Sequence, residues 1–273
     1  MCGRIIFEAF KGIADRHGFP WDFPTPEAAI GLARAFSSHP KIFGVVFEDG
    51  GQVVGSNFLD ERSAIRGVGP ITVDPKAQAR GAGRKLMEAV LERGKGAEGI
   101  RLVQDAFNQV SYALYTSLGF NVQEPLVLMR GTPAGKVPAG YTVRPMEPGD
   151  LKTCAGLCAA VHGFSRAGEL EDALKFANPF VAERGGTIRA YASAVIFWPL
   201  NHAVAETDED LQALLLGAGA AMNEPLAFLL PTRRSEFFRW CLTSGLRGVK
   251  PMNLMSLGSY QDPRGSYYPS VEF

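Results

Sequence analysis

Four kinds of residue pattern are missing or thin in this chain, and each absence narrows the reading. Cysteine is scarce: Cys2, Cys154, Cys158 and Cys241 are scattered along 273 residues. Cys154 and Cys158 lie four apart on an expected helix with no second pair to complete a zinc site, so the four read as reduced core thiols of a cytoplasmic protein without a metal. No apolar run is long enough to span a bilayer and no signal peptide is evident, which argues against a membrane role. Excess charge of either sign is also missing. Lysine plus arginine and aspartate plus glutamate both number 28, so bulk charge does not favour nucleic acid as a partner. With 46% apolar and 21% charged residues the composition is that of a soluble globular protein, long enough for two domains.

What the chain does have centres on residues 67–92, GVGPITVDPKAQARGAGRKLMEAVLE. Ile71, Thr72 and Val73 are strand formers, stopped by Asp74-Pro75. From Leu86 onward the apolar residues Leu86, Met87, Val90 and Leu91 fall at helical spacing. Between strand and helix lies Gln78-Ala79-Arg80-Gly81-Ala82-Gly83-Arg84, followed by Lys85. Gly81 and Gly83 allow close approach of a ligand to a helix N-terminus, whose unpaired N–H groups favour an anion. Arg80, Arg84 and Lys85 crowd the positive end of the helix dipole, unfavourable by roughly 0.3–1 kcal/mol each, and a polyphosphate would reverse that sign. A Walker loop is excluded because Leu86 follows Lys85, and a dinucleotide fingerprint because Leu86 stands where its third glycine is required.

Upstream, residues 3–17 predict a helix with Ile6, Phe10 and Ile13 on one face. Thr25 as N-cap and Pro26 begin a second helix reaching about Phe36. Two strands, Ile42 to Phe47 and Gln52 to Phe58, flank the turn Asp49-Gly50-Gly51. Ile100 to Gln104 is a further short strand. Asn108 then caps a helix that Gly119 stops.

Taken together, the Gln78-x-x-Gly81-x-Gly83 loop and the run Asn108, Tyr115, Leu118-Gly119-Phe120 resemble the two halves of the cofactor site in the GNAT superfamily of acyl-CoA-dependent N-acetyltransferases. The resemblance implies an α/β fold of the α+β kind, a twisted mixed sheet flanked by helices. It further implies acetyl-CoA as acyl donor, with Ile71, Thr72 and Val73 along the pantetheine arm and residues Gln78, Ala79, Arg80, Gly81, Ala82, Gly83, Arg84 and Lys85 at the pyrophosphate. Asn108 and Ser111 would touch the arm from the other side. Tyr115, a phenol that stays protonated at neutral pH, is the candidate general acid toward the departing thiolate; its alternative is to orient the sulfur. A carboxylate that some relatives carry on the central strand is Gly67 here, which leaves Asp60 and Glu61, acting through water, as weak candidates for the base. Acceptor recognition would fall on Trp21, Asp22 and Phe23, with Asn57 facing the cleft. Trp21 and Phe23 have the alternative of stapling the core.

Residues 131–140, GTPAGKVPAG, read as a linker between a domain at 1–130 and one at 141–273. A shift of 126 residues lays Gly119 on Gly245, Pro125 on Pro251, Leu128 on Leu254 and Met129 on Met255. The same shift replaces Tyr115 by Cys241, Asn108 by Arg234 and the basic loop by Glu206-Thr207-Asp208-Glu209-Asp210. The second half therefore reads as a GNAT-like unit that has lost the cofactor, and it either closes the acceptor cleft or makes an interface. The first unit begins directly with a helix, so its first strand is missing, or is replaced at the sheet edge by the tail Tyr267–Phe273. The expected activity is transfer of an acetyl group from acetyl-CoA to a small amine. The alternative is an acyl-CoA-binding regulator without turnover.

Overall fold

The computed structural model describes residues 1–77 and 81–271. Helix α1 (Cys2–His17) ends on Gly18, whose φ of 72° is a left-handed stop. Helix α2 (Pro26–Ser38) starts as its sequence dictates, the Thr25 side chain accepting from the Ala28 N–H and Pro26 opening the first turn. Strands β1 (Ile42–Asp49) and β2 (Gln52–Asp60) form a hairpin over Gly50 and Gly51, both at positive φ. Then follow β3 (Ile65–Val68), β4 (Thr72–Val73), α3 (Ala82–Arg93), β5 (Gly99–Asp105), α4 (Gln109–Ser117) and β6 (Asn121–Gly131).

The second half runs β7 (Tyr141–Pro145), α5 (Leu151–His162), α6 (Ala167–Phe176), β8 (Phe180–Arg184), β9 (Thr187–Ala192), β10 (Ala203–Ala205), α7 (Asp208–Ala221), β11 (Leu226–Pro231), α8 (Ser235–Thr243), β12 (Arg247–Gly258) and β13 (Ser266–Tyr268). The internal repeat of the sequence is thus a repeat of structure. Helices begin at Ala82 and Asp208, then at Gln109 and Ser235, and long strands at Asn121 and Arg247, each pair separated by the same offset.

Two sheets carry the molecule. The larger has the order β1-β2-β3-β5-β12-β6-β11, with β4 attached to β2; the smaller is β13-β10-β9-β8-β7. The large sheet is mixed, β3 running parallel to β5 and its other pairs antiparallel. It also crosses the division between the repeats. Strand β12 of the second repeat inserts between β5 and β6 of the first, with Met252 opposite Asp105 on one side and Leu126 on the other. Strand β6 sits likewise beside β11, with Leu126 opposite Pro231. The repeat offset converts the first register into the second, so the repeats are related by a local two-fold through the Leu126–Met252 pair. Residues 132–140 follow this exchange as an ordered strap: the Ala134 N–H donates to the Ser244 carbonyl and Pro133 lies against Gly219.

Of the two readings for the first unit's sheet edge, the structure shows the shorter sheet. β1 is its edge strand, and the tail contributes β13 to the other sheet, where Tyr268 pairs with Ala203. The expectation that the tail fills the first sheet is corrected. Its Tyr267 and Tyr268 are buried aromatics, and the second sheet is where they are covered.

The large sheet separates two cores that fix the site. Helices α1 and α2 cover one face, Ile6, Phe7, Leu32 and Phe36 packing with Phe58 of β2. Helices α3 and α4 cover the other, Met87, Val90 and Tyr115 packing with Leu59 of β2 and with Phe120.

Candidate active site

The site forms where the sheet opens. β3 pairs with β5 only from Ile65 to Gly67. Beyond it, Gly69 at φ 144° turns the chain, and β4 pairs with β2 through Thr72–Ser56 and Val73–Gly55. The central strand read from the sequence is therefore two short strands that splay from β5, leaving the other edge of β4 toward a cleft.

A groove of about 340 Å³ follows this split and is lined by Ile71, Thr72, Val73, Gly81, Ala82, Gly83, Arg84, Asn108, Ser111 and Tyr115. The residues singled out in the sequence thus come together from three elements. Gln78, Ala79 and Arg80 lie outside the described residues. Gly81 is the N-cap of helix α3, at a left-handed φ of 79°, and the helix has no side-chain cap and no acid in its first turn. Its first N–H groups are the unsatisfied donors of an anion site. Arg84 reaches the Ser117 hydroxyl at 2.7 Å and stays at the groove wall. Lys85 does not line the groove; its ammonium stands 5.4 Å over the Phe47 ring. Arg16 of α1, which periodicity alone left unmarked, adds a second arginine to the groove.

The equivalent helix start in the second repeat is closed by its own side chains. Thr207 and Asp210 form a capping box at α7, the Tyr141 hydroxyl donates to Asp210 at 2.7 Å, and Asp208 binds Arg234 at 2.5 Å. Carboxylates stand where the first repeat has bare amides.

At the far end of the cleft Asn108 caps α4 by accepting from the Ser111 N–H. This directs Tyr115, two turns on, into the cleft between β4 and β5. Tyr115 is 7% exposed, and burial, with Asp105 nearby, pushes its phenol above the ordinary range.

A second cavity, of about 130 Å³, opens from the groove past Asp105, Asn108, Ser111 and Tyr115, which line both. Its walls come from both repeats: Phe10, Asp22 and Phe23 from the first, Trp198, Leu200 and Met252 from the second. Asp22 and Phe23, expected to recognise the acceptor, line this cavity. Trp21 is not, because its ring packs edge-on against Phe7 on the outside of α1 and its N–H donates to Asp15 at 2.7 Å. Asn57 is not either: its amide is buried between β2 and α3, donating to the Leu86 carbonyl at 3.4 Å and accepting from the Phe58 N–H at 2.9 Å. The expectation that Asn57 faces the cleft is corrected, since it shares a face of β2 with Leu59, under α3. Asp60 and Glu61 are held by Arg62 at 2.5 Å and Arg93 at 2.8 Å, and neither lines the groove or this cavity.

Two charged residues, one lining the cavity and one paired with its acids, were not read from the sequence. Asp105 ends β5, and Lys250 comes from β12. The Lys250 ammonium lies 2.6 Å from a carboxylate oxygen of Asp22 and 2.6 Å from one of Asp105. Burial pushes Asp22 up to about 6; Lys250 opposes that rise and Asp105 adds to it. For Lys250 burial acts downward, but the two carboxylates outweigh it and hold the ammonium above its ordinary value. One signal was available: Lys250 shares a strand face with Met252 and Leu254, a lone charge in an apolar stripe.

Among the described residues no cluster of three or more His, Cys, Asp or Glu side chains is placed to hold a metal, and no helix is long and apolar enough to cross a membrane. Residues 8–120 match the profile described as Acetyltransferase (GNAT) family. No curated protein matches the sequence. Among solved structures, an inferred acetyltransferase from Pyrococcus horikoshii superposes with a TM-score of 0.73 at 18% identity, covering 99% of this chain and 92% of that one. A tandem GNAT protein from the clavulanic acid biosynthesis pathway superposes at 0.57 with 14% identity, covering 97% and 94%. A GCN5-related N-acetyltransferase from Sphaerobacter thermophilus superposes at 0.58 with 14% identity and the same coverage. At these identities the likeness establishes the fold, a mixed α/β arrangement of two GNAT-like units.

Proposed function

We propose, for a chain whose residues 8–120 belong to the acetyltransferase (GNAT) family, that its first unit is an acetyl-CoA-dependent N-acetyltransferase acting on a small amine. The observation that carries this reading is the uncapped start of α3 at Gly81, in one continuous cleft with Tyr115. The pyrophosphate of the donor fits the bare amides from Ala82 onward with Arg84 and Arg16 beside them. Its pantetheine arm fits the open edge of β4, between Ile71–Val73 on one side and Asn108 and Ser111 on the other. The thioester then falls near Tyr115, where groove and cavity meet, and a backbone N–H of the splayed strand can face its carbonyl oxygen.

The amine attacks from the cavity side. The C–N bond forms, the C–S bond breaks, and the Tyr115 hydroxyl donates its proton to the sulfur. A phenol held above its ordinary pKa is a weak acid but stays fully protonated, and a nascent thiolate is basic enough to take the proton during cleavage. The second unit serves the first through β12 and residues Trp198–Leu200, which close the acceptor cavity. Its own helix start at α7 does not bind CoA, because Asp208 and Asp210 occupy the position phosphate would need. The reading expects a cytoplasmic protein, with acetyl-CoA drawn from the surrounding pool.

The test is a screen of amines that follows thiol release from acetyl-CoA. Amine-dependent release by the parent protein supports the transferase. Tight CoA binding with no release across the panel favours a CoA-responsive regulator instead.

A further inference from the structure

A charge cluster whose signs do not cancel borders the cavity: Asp22 and Asp105 line it and share the Lys250 ammonium. Asp22, Asp105 and Lys250 are all more than nine-tenths hidden, with side chains 6%, 8% and 3% exposed. One ammonium bridges two carboxylates, so with both ionised a net negative charge sits among Phe23, Trp198, Leu200 and Met252. Such a charge is costly away from water, and the cost is removed by a proton or by a second cation. A second observation also points to a ligand. Gln104 lines the same cavity, is 5% exposed, and its buried amide NH2 has no hydrogen-bond partner. A buried donor without a partner calls for an oxygen acceptor.

The transferase reading supplies both. Where amine meets acyl group, a cationic nitrogen lies beside a carbonyl oxygen. Resting on that reading, we infer that the Asp22–Lys250–Asp105 cluster is the acceptor site, selecting a small cationic primary amine without a carboxylate, and that Asp22 takes the ammonium proton. An amine that also bears a carboxylate is disfavoured. The Lys250 ammonium is already engaged by Asp22 and Asp105 and lies 5.0 Å from the Trp198 ring centroid, so it is not open to a third anion. The apolar walls suit an alkyl or aryl body.

The protons balance. The ammonium gives one to Asp22, which passes it to solvent, and the neutral amine attacks the thioester carbon. The second proton leaves nitrogen as the amide forms and replaces the one that Tyr115 gives to sulfur. The products are the N-acyl amine, CoA with a free thiol, and one proton in solution. Burial raises Asp22 to about 6, with Lys250 on β12 opposing and Asp105 on β5 adding to the rise, so it can accept and release that proton around pH 6; Tyr115 on α4 lines the same cavity.

The register also explains why this lysine belongs to the second repeat. Lys250 occupies the position equivalent to Glu124, and the strand exchange carries each residue into the other unit. Glu124 is met there by Arg233 at 2.6 Å, which also reaches Asp262 at 3.2 Å and is half exposed, whereas Lys250 and the two acids it meets are buried.

The experiment titrates n-butylammonium, butanol and butyrate into the full chain saturated with CoA, by NMR at pH 7.5, for the parent and Asp22→Asn. Expected is binding of butylammonium alone, weakened at least tenfold in the variant with CoA affinity unchanged. Equal binding of butanol, binding of butyrate, or an undiminished affinity in Asp22→Asn overturns the inference. This readout needs no turnover: failure to acetylate any amine while butylammonium binds as described breaks the transferase reading alone. Where turnover is found, kcat/KM of the parent falls below about pH 6, and that acid limb is lost in Asp22→Asn; an unchanged limb rejects Asp22 as the proton acceptor.

Discussion

Replacing Lys250 by methionine removes the cation and keeps much of the side-chain volume, so it isolates the electrostatics of the cavity. Each 2.6 Å contact is a gross attraction of about 6 kcal/mol at an effective dielectric constant near 20, most of it offset by taking the ions out of water. What matters for the variant is the state left behind, two buried carboxylates with no counter-ion. Breaking a buried pair in this way costs about 3–5 kcal/mol. For a chain of this size 1 kcal/mol moves the melting temperature by about 2 °C, so a drop of about 6–10 °C is expected at pH 8. The deficit has a predictable pH dependence. Without Lys250 the native carboxylates titrate above the unfolded ones, so between those values the native state holds more protons and its stability rises as pH falls. The difference from the parent therefore shrinks at pH 5.5. A triple variant, Lys250→Met with Asp22→Asn and Asp105→Asn, recovers most of the loss because no bare charge remains. Differential scanning calorimetry at both pH values is the assay. A Lys250→Met protein melting within about 2 °C of the parent at pH 8 refutes the reasoning.

Other outcomes follow from the same geometry. Asp22→Asn leaves Lys250 paired with Asp105; since the ionised native Asp22 is a cost above about pH 6 that vanishes below the unfolded carboxylate value, the variant melts no lower than the parent at pH 8, and a large drop contradicts the charge count. Tyr115→Phe leaves CoA affinity within about twofold and lowers turnover about tenfold or more; unchanged turnover removes the phenol from the chemistry. Residues 1–140 expressed alone lack β12 and expose the edges of both β5 and β6, so they aggregate; a soluble monomer that binds acetyl-CoA shows that the exchange is dispensable.

The elements of the first unit and the repeat were legible because they rest on local chemistry. Gly81 needs a left-handed φ, Asn108 caps and Gly119 stops a helix, and the same spacing recurs later in the chain. The strand exchange was not legible. β6 and β12 carry equivalent apolar stripes, and nothing in either says whether it pairs within its own unit or across the dyad. The cavity was half visible for the same reason. Asp22 lies on a loop between two predictable helices, but its partner Lys250 is contributed by a register that only the folded sheet defines. Asn57 shows the limit of alternation, which assigns it to the face of Leu59 without saying that α3, not the cleft, covers that face. Trp21 was ambiguous between core and site; its ring lies edge-on to Phe7 outside both the groove and the cavity, yet is 46% exposed.

A CoA site at the start of α3, and none at α7, is what the catalytic proposal requires. Isothermal titration of CoA into the full chain should give one site, lost on Gly81→Val, where a β-branched residue meets φ 79° at the mouth of α3, and retained on Asp208→Ala. Two sites per chain, or an affinity indifferent to Gly81, contradicts it.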